Sequence, residues 1–119
     1  MLQDHFYHLT STIHQENTIT VALELNIEHD IFKGHFPGQP VVPGACMLQM
    51  VKEVLSAGLN KDYRLEKADN LKFIAPVDPR VTDDLQLKIT YKTLDTGLQV
   101  NALMSANEVV CFKMQGVFI

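Results

Sequence analysis

Only one long stretch of this 119-residue chain carries the spacing of a helix, and most other patterned stretches alternate. Over residues 45–59, Met47, Leu48, Val51, Val54, Leu55 and Leu59 recur at three- and four-residue intervals. Gln49, Lys52, Glu53 and Ser56 form a polar stripe on the other side. Gly58 and Asn60 mark the exit. Before this segment, Ile19, Val21, Leu23, Leu25 and Ile27 alternate with mostly polar neighbours, the period of a half-buried strand. After it the chain reads as strand over residues 63–75, 85–92, 98–104 and 109–119. Pro76 stops the first of these, and turn signals at Asp95–Gly97 and Ala106–Glu108 separate the others. Short turns between successive strands favour antiparallel pairing. One helix with about five or six strands predicts an α+β architecture, a curved antiparallel sheet wrapped round one central helix.

The length is that of a single domain spanning residues 1–119, and 46% apolar residues are enough for a core. Residues 1–9 read as a short helical turn with Leu2, Phe6 and Leu9 on one side, followed by a turn at Glu16 and Asn17. One sheet over one helix leaves sheet edges open, so a homodimer that continues the sheet is expected. The net charge of −4 and the scattered Lys and Arg argue against a nucleic-acid partner. No window approaches eighteen apolar residues, and the N-terminus lacks a signal-peptide pattern, so neither a membrane span nor export is expected. Cys46 and Cys111 read as two reduced thiols of a cytoplasmic protein.

The chemistry concentrates just before the helix, in GHFPGQPVVPGACMLQ, residues 34–49. Prolines fix φ and glycines permit turns other residues resist, so the loop is stiff for its length. It holds His35, whose ordinary pKa near neutrality suits a base or an acid. An isolated loop histidine is more often structural, and the dense Gly/Pro setting is what lifts this one. Pro43 and Gly44 open the helix, where free N–H groups and partial positive charge can stabilise a carbonyl oxygen gaining negative charge. An apolar channel along Met47, Leu48 and Val51 would suit an acyl chain, although core packing explains the same residues.

The string HFPGQPVVPG resembles the signature of the FabZ/FabA-type 3-hydroxyacyl-acyl-carrier-protein dehydratases. The similarity continues through LKFIAPVDP, residues 71–79, and DLQL, residues 84–87, and covers roughly residues 18–119. It implies a hotdog fold, in a homodimer or a trimer of dimers. It also implies a lyase that removes water from a (3R)-hydroxyacyl thioester, carried by acyl carrier protein or coenzyme A, with no metal or redox cofactor. His35 would be the base and the Gly44 amide would hold the thioester oxygen, with Phe36, Pro43, Ala45 and Leu48 lining the substrate site.

The chain departs from that pattern at Gln49. The family carries Glu or Asp fourteen positions after the histidine, on the helix, where it reaches the site of the partner subunit's histidine in the dimer and handles the departing hydroxyl. An amide can only hydrogen-bond, and loss of a general acid costs about 10²–10⁴-fold in rate. Gln49 could still position the hydroxyl while His35 moves the proton both ways. Glu53, one turn further on, could substitute as the acid, although a solvated helix residue is the ordinary reading. Asp30 is a weaker candidate. Residues 1–17 lack a convincing match to the family's leader. Two other functions stay open: a non-catalytic acyl-binding or heterodimer partner subunit, and an acyl thioesterase. His5 and His8, three apart, could face a metal, but the sequence offers no third ligand.

Overall fold

The computed structural model describes residues 2–34 and 38–119. Its elements in chain order are β1 (Tyr7–Gln15), β2 (Thr18–Leu25), α1 (Asp30–Gly34), α2 (Gly44–Leu59), β3 (Leu65–Phe73), β4 (Leu85–Leu94), β5 (Gly97–Ala106) and β6 (Val109–Phe118). The six strands form one antiparallel sheet in the order β1-β2-β4-β5-β6-β3.

The predicted alternation becomes one buried face. Ile19, Val21 and Leu23 of β2, Leu85, Leu87 and Ile89 of β4, and Val100, Ala102 and Met104 of β5 all point inward. They meet Met47, Met50, Val51, Val54 and Leu55 of α2, which lies against this face. A long helix on one antiparallel sheet is the hotdog arrangement. The turns sit where the sequence puts them: Asn107 and Glu108 both have positive φ (50° and 68°), as the two central residues of a tight hairpin require. Asn107 also accepts the Asp83 and Asp84 amides and donates to the Val81 carbonyl, pinning this turn to the loop before β4.

Several expectations are corrected. Residues 1–9 are not a helical turn throughout: a tight turn over Asp4–Phe6 leads into β1, the sixth strand. Its side chains after Tyr7 are almost all exposed, so it carries no apolar alternation to read. The strand expected over residues 63–75 is shorter, Leu65–Phe73. Asp30 does not enter a loop directly but opens the short α1, where His29 Nδ1 accepts the Ile31 amide at 3.1 Å. Asn60 does close α2, in the left-handed conformation (φ 53°, ψ 43°). Gly58, however, lies inside α2, where a Cβ would stand 2.7 Å from Ile19 Cδ1. It therefore marks a close approach of helix to sheet in the last turn before the helix exit.

β1 and β3 are the two sheet edges. On β3, Leu71 and Phe73 pair with the buried Met114 and Phe112 and so face the helix side of the sheet. They nevertheless stay 38% and 53% exposed, with only the start of α2 lying against the Phe73 ring.

Candidate active site

The loop runs from α1 into α2, and both of its ends are held. Upstream, Phe32 of α1 is buried and stacks on Phe6, with ring centroids 4.9 Å apart. Downstream, the Val42 amide donates to the Val77 carbonyl at 2.9 Å, and both side chains are buried. His35 and Phe36, the expected base and a lining residue, lie outside the described residues.

Pro43 is the N-cap of α2, with extended backbone, and its carbonyl accepts the Cys46 and Met47 amides. No side chain caps the helix among the described residues. The amides of Gly44 and Ala45 belong to the first turn, whose N–H groups have no carbonyl within the helix. Beside them lies an open apolar groove of about 400 Å³, lined by Val42, Gly44, Met47, Phe73, Ile74, Ala75 and Pro76. A Cβ on residue 44 would stand 2.7 Å from the Phe73 ring, so glycine lets that ring close against the helix start. Of the expected channel residues, Met47 lines this groove. Val51 is fully buried in the core and Leu48 only partly covered.

The polar stripe of α2 is corrected most sharply at Glu53. It is not a solvated helix residue: at 3% exposure it is the one buried charged side chain among the described residues. Its carboxylate accepts four hydrogen bonds. Oε1 takes the Gln3 amide at 2.8 Å and the Tyr7 hydroxyl at 3.1 Å. Oε2 takes the Leu2 amide at 2.9 Å and Gln49 Nε2 at 2.8 Å. Burial pushes the Glu53 pKa up, but the bonds from Leu2, Gln49, Gln3 and Tyr7 outweigh it and the net direction is down. Burial, reinforced by the Glu53 charge, pushes the Tyr7 phenol far up, so it stays a donor. A carboxylate so occupied and so ionised is poorly suited to giving a proton.

Gln49 is thereby oriented. A carboxylate cannot donate, so the amide end facing Glu53 must be the NH₂. Gln49 Oε1 faces away, as an acceptor. Asp30 is exposed at the head of α1. His5 and His8 share no helix; His8 lies on β1, 3.5 Å from Glu24. Burial pushes both the Cys46 and Cys111 thiols up, which disfavours the thiolate.

Residues 11–113 match the ApeI-like family, described as ApeI dehydratase. The chain belongs to that family. The expected FabZ/FabA-type kinship holds as well. A 3-hydroxyacyl-[acyl-carrier-protein] dehydratase FabZ of Verminephrobacter eiseniae is 35% identical, over 82% of this ApeI-like chain and 72% of the relative. The FabZ of Rhizorhabdus wittichii is 28% identical over 65% of this chain, and the chain spans 55% of that protein's length. Among solved structures, the dehydratase heterocomplex ApeI:P of Xenorhabdus doucetiae superposes with a TM-score of 0.79 at 20% identity, covering 92% of this chain and 95% of that one. A sigma28-regulated virulence protein of Campylobacter jejuni follows at 0.69 and 18% identity, covering 92% and 81%. These structural likenesses bear out the hotdog fold.

Proposed function

We propose that this ApeI-like protein dehydrates a (3R)-hydroxyacyl thioester to the trans-2-enoyl thioester. The observation that carries the reading is the groove at the start of α2, where first-turn amides border an apolar slot. In the reaction His35 takes the C2 proton, and the Gly44 amide stabilises the thioester oxygen as enolate charge grows. The C2=C3 bond forms as the C3–O bond breaks, and the departing hydroxide takes the proton back from His35 and leaves as water. Gln49 Oε1 accepts from the 3-hydroxyl and fixes its direction. Pro43, Ala45, Leu48 and Phe36 border the acyl chain. No metal or redox cofactor enters these steps. The acyl group arrives on a phosphopantetheine arm, of acyl carrier protein or coenzyme A.

The reading includes a cytoplasmic homodimer, with a trimer of dimers as the larger assembly. The free Cys46 and Cys111 support the compartment. Among the described residues no helix is long and apolar enough to cross a membrane. The uncovered Leu71 and Phe73 on edge strand β3 support pairing with a second copy.

One observation favours a second reading. Gln49 has no acid proton, and Glu53 beside it is engaged and ionised, as suits a subunit that binds acyl groups or pairs with an active relative. The deciding experiment measures enoyl formation from a 3-hydroxyacyl carrier-protein or coenzyme A thioester with wild type, His35→Ala and Gln49→Glu. Turnover by wild type that His35→Ala abolishes supports the dehydratase. Turnover by Gln49→Glu alone supports the non-catalytic subunit. Hydrolysis to free thiol without enoyl product would move the assignment to a thioesterase.

A further inference from the structure

The family match begins at residue 11, yet the six residues Leu2–Tyr7 ahead of it touch both α1, which leads into the His35 loop, and the face of α2 that carries Gln49. Toward the loop, Phe6 is fully buried, stacks on Phe32 of α1 at 4.9 Å and meets the His29 ring edge-on at 5.3 Å. Phe32 is three positions before His35. Toward the helix, the Leu2 and Gln3 amides and the Tyr7 hydroxyl hold the carboxylate of Glu53, which in turn holds Gln49 Nε2. The turn itself is tight: the Asp4 amide donates to the Tyr7 carbonyl at 2.6 Å and the Phe6 amide to Leu2 at 2.7 Å.

We propose that this N-terminal turn is a brace for the site and that Glu53 is a positioning residue that fixes the amide of Gln49. The chemistry explains the choice of a carboxylate. Four donors converge on two oxygens, and a buried carboxylate offers about four lone-pair sites, whereas an amide offers half as many and adds two donors of its own. A glutamine at 53 would present either an NH₂ to the donors of the turn or an NH₂ to that of Gln49. The second opposes fewer donors, so it prevails, and Gln49 then turns its own Oε1 to residue 53 and away from the site. The inference rests on the proposed dehydration for what Oε1 meets, but not for the brace itself.

The test pairs a spectrum with kinetics on the full chain. The ¹⁵N–¹H signals of the Gln49 side-chain amide are recorded in wild type, Glu53→Gln and Ile89→Val; the last trims a buried core side chain of β4 that takes no part in the Glu53 hydrogen bonds. One Gln49 amide proton should be shifted and protected from exchange in wild type and in Ile89→Val, and should lose both properties in Glu53→Gln. With the hydroxyacyl thioester as substrate, kcat of Glu53→Gln should fall by about 10- to 100-fold with KM little changed, the mark of a misdirected group rather than a lost binding contact. Ile89→Val should keep both constants. If the Gln49 signals of Glu53→Gln coincide with those of wild type, the brace is overturned. It is overturned equally if an active wild type and Glu53→Gln share one kcat. A wild type that turns over no thioester but shows the expected signals keeps the brace and removes the dehydratase reading.

Discussion

Gln49 Nε2 stands 2.8 Å from Glu53 Oε2, one turn along the same helix, so the residue in place of the family's acid is wired to a buried carboxylate. Substituting Gln49→Glu would therefore install an acid that holds its proton more tightly than an ordinary carboxyl group. It would set two carboxyl groups within hydrogen-bond reach, which hold one proton between them. The pair's upper pKa should rise above that of the unfolded chain, about 4.3. The charged form is then disfavoured in the fold. The variant should lose stability relative to wild type as pH climbs from about 4.3 through the raised value, by roughly 1.4 kcal/mol for each pH unit in that window. Urea midpoints of both proteins between acid and neutral pH would show it; parallel curves would contradict it.

In the wild type the sign is opposite. The Glu53 pKa is lowered on folding, by bonds that together outweigh its burial. Its contribution is complete above the unfolded value of about 4.3 and is lost as pH falls through the folded one. The groups that face it are the Tyr7 phenol and the Gln49 amide, with the Leu2 and Gln3 amides; Asp4 adds a charge near Tyr7. Glu53→Ala should remove this acid-limb dependence and cost about 2–4 kcal/mol at neutral pH, since four donors lose their acceptor. Denaturant unfolding at neutral and acid pH measures both effects.

Gly44→Ala should separate stability from function. The added methyl meets the Phe73 ring, which stacks on Phe112 but is 53% exposed and has room to give toward solvent. The change in stability should stay under about 1 kcal/mol, with Ala also the better helix former. The methyl and the displaced ring would instead occupy the groove beside the first-turn amides. The expected result is an unchanged thermal midpoint with acyl binding or turnover reduced by about tenfold or more.

Leu71→Glu addresses self-association. Leu71 lies on the helix side of edge strand β3 and is 38% exposed, so a charge there costs less in the monomer than it would in the core. Against a second copy the same charge would be buried or would face its own equivalent. Sedimentation should show wild type as a dimer and the variant shifted toward monomer, with the far-ultraviolet spectrum unchanged. A variant as dimeric as wild type would place the contact elsewhere.

The parts of the fold legible in the sequence are those where one face is buried and the other wet. Ile19, Val21 and Leu23, then Leu85, Leu87 and Ile89, announce strands because burial alternates with them. Met47, Val51, Val54 and Leu55 announce α2 in the same way. β1 is silent because it is an edge whose side chains mostly meet water on both faces. The loop and helix start were legible as a motif, since Gly and Pro carry their conformations with them. Glu53 was not. On α2 it reads as one more polar residue, and its partners arrive from Leu2, Gln3 and Tyr7, which are 51, 50 and 46 positions away. No local pattern encodes a meeting of that range.

Two of those partners are backbone amides. The tether itself thus sets no side-chain requirement at positions 2 and 3 beyond excluding proline, which lacks the N–H, although Leu2 also packs on the core. Distant kin could preserve this tether without one shared letter at their front ends. Its inheritance would be written in the path of the chain, and alignment by residue identity would pass over it.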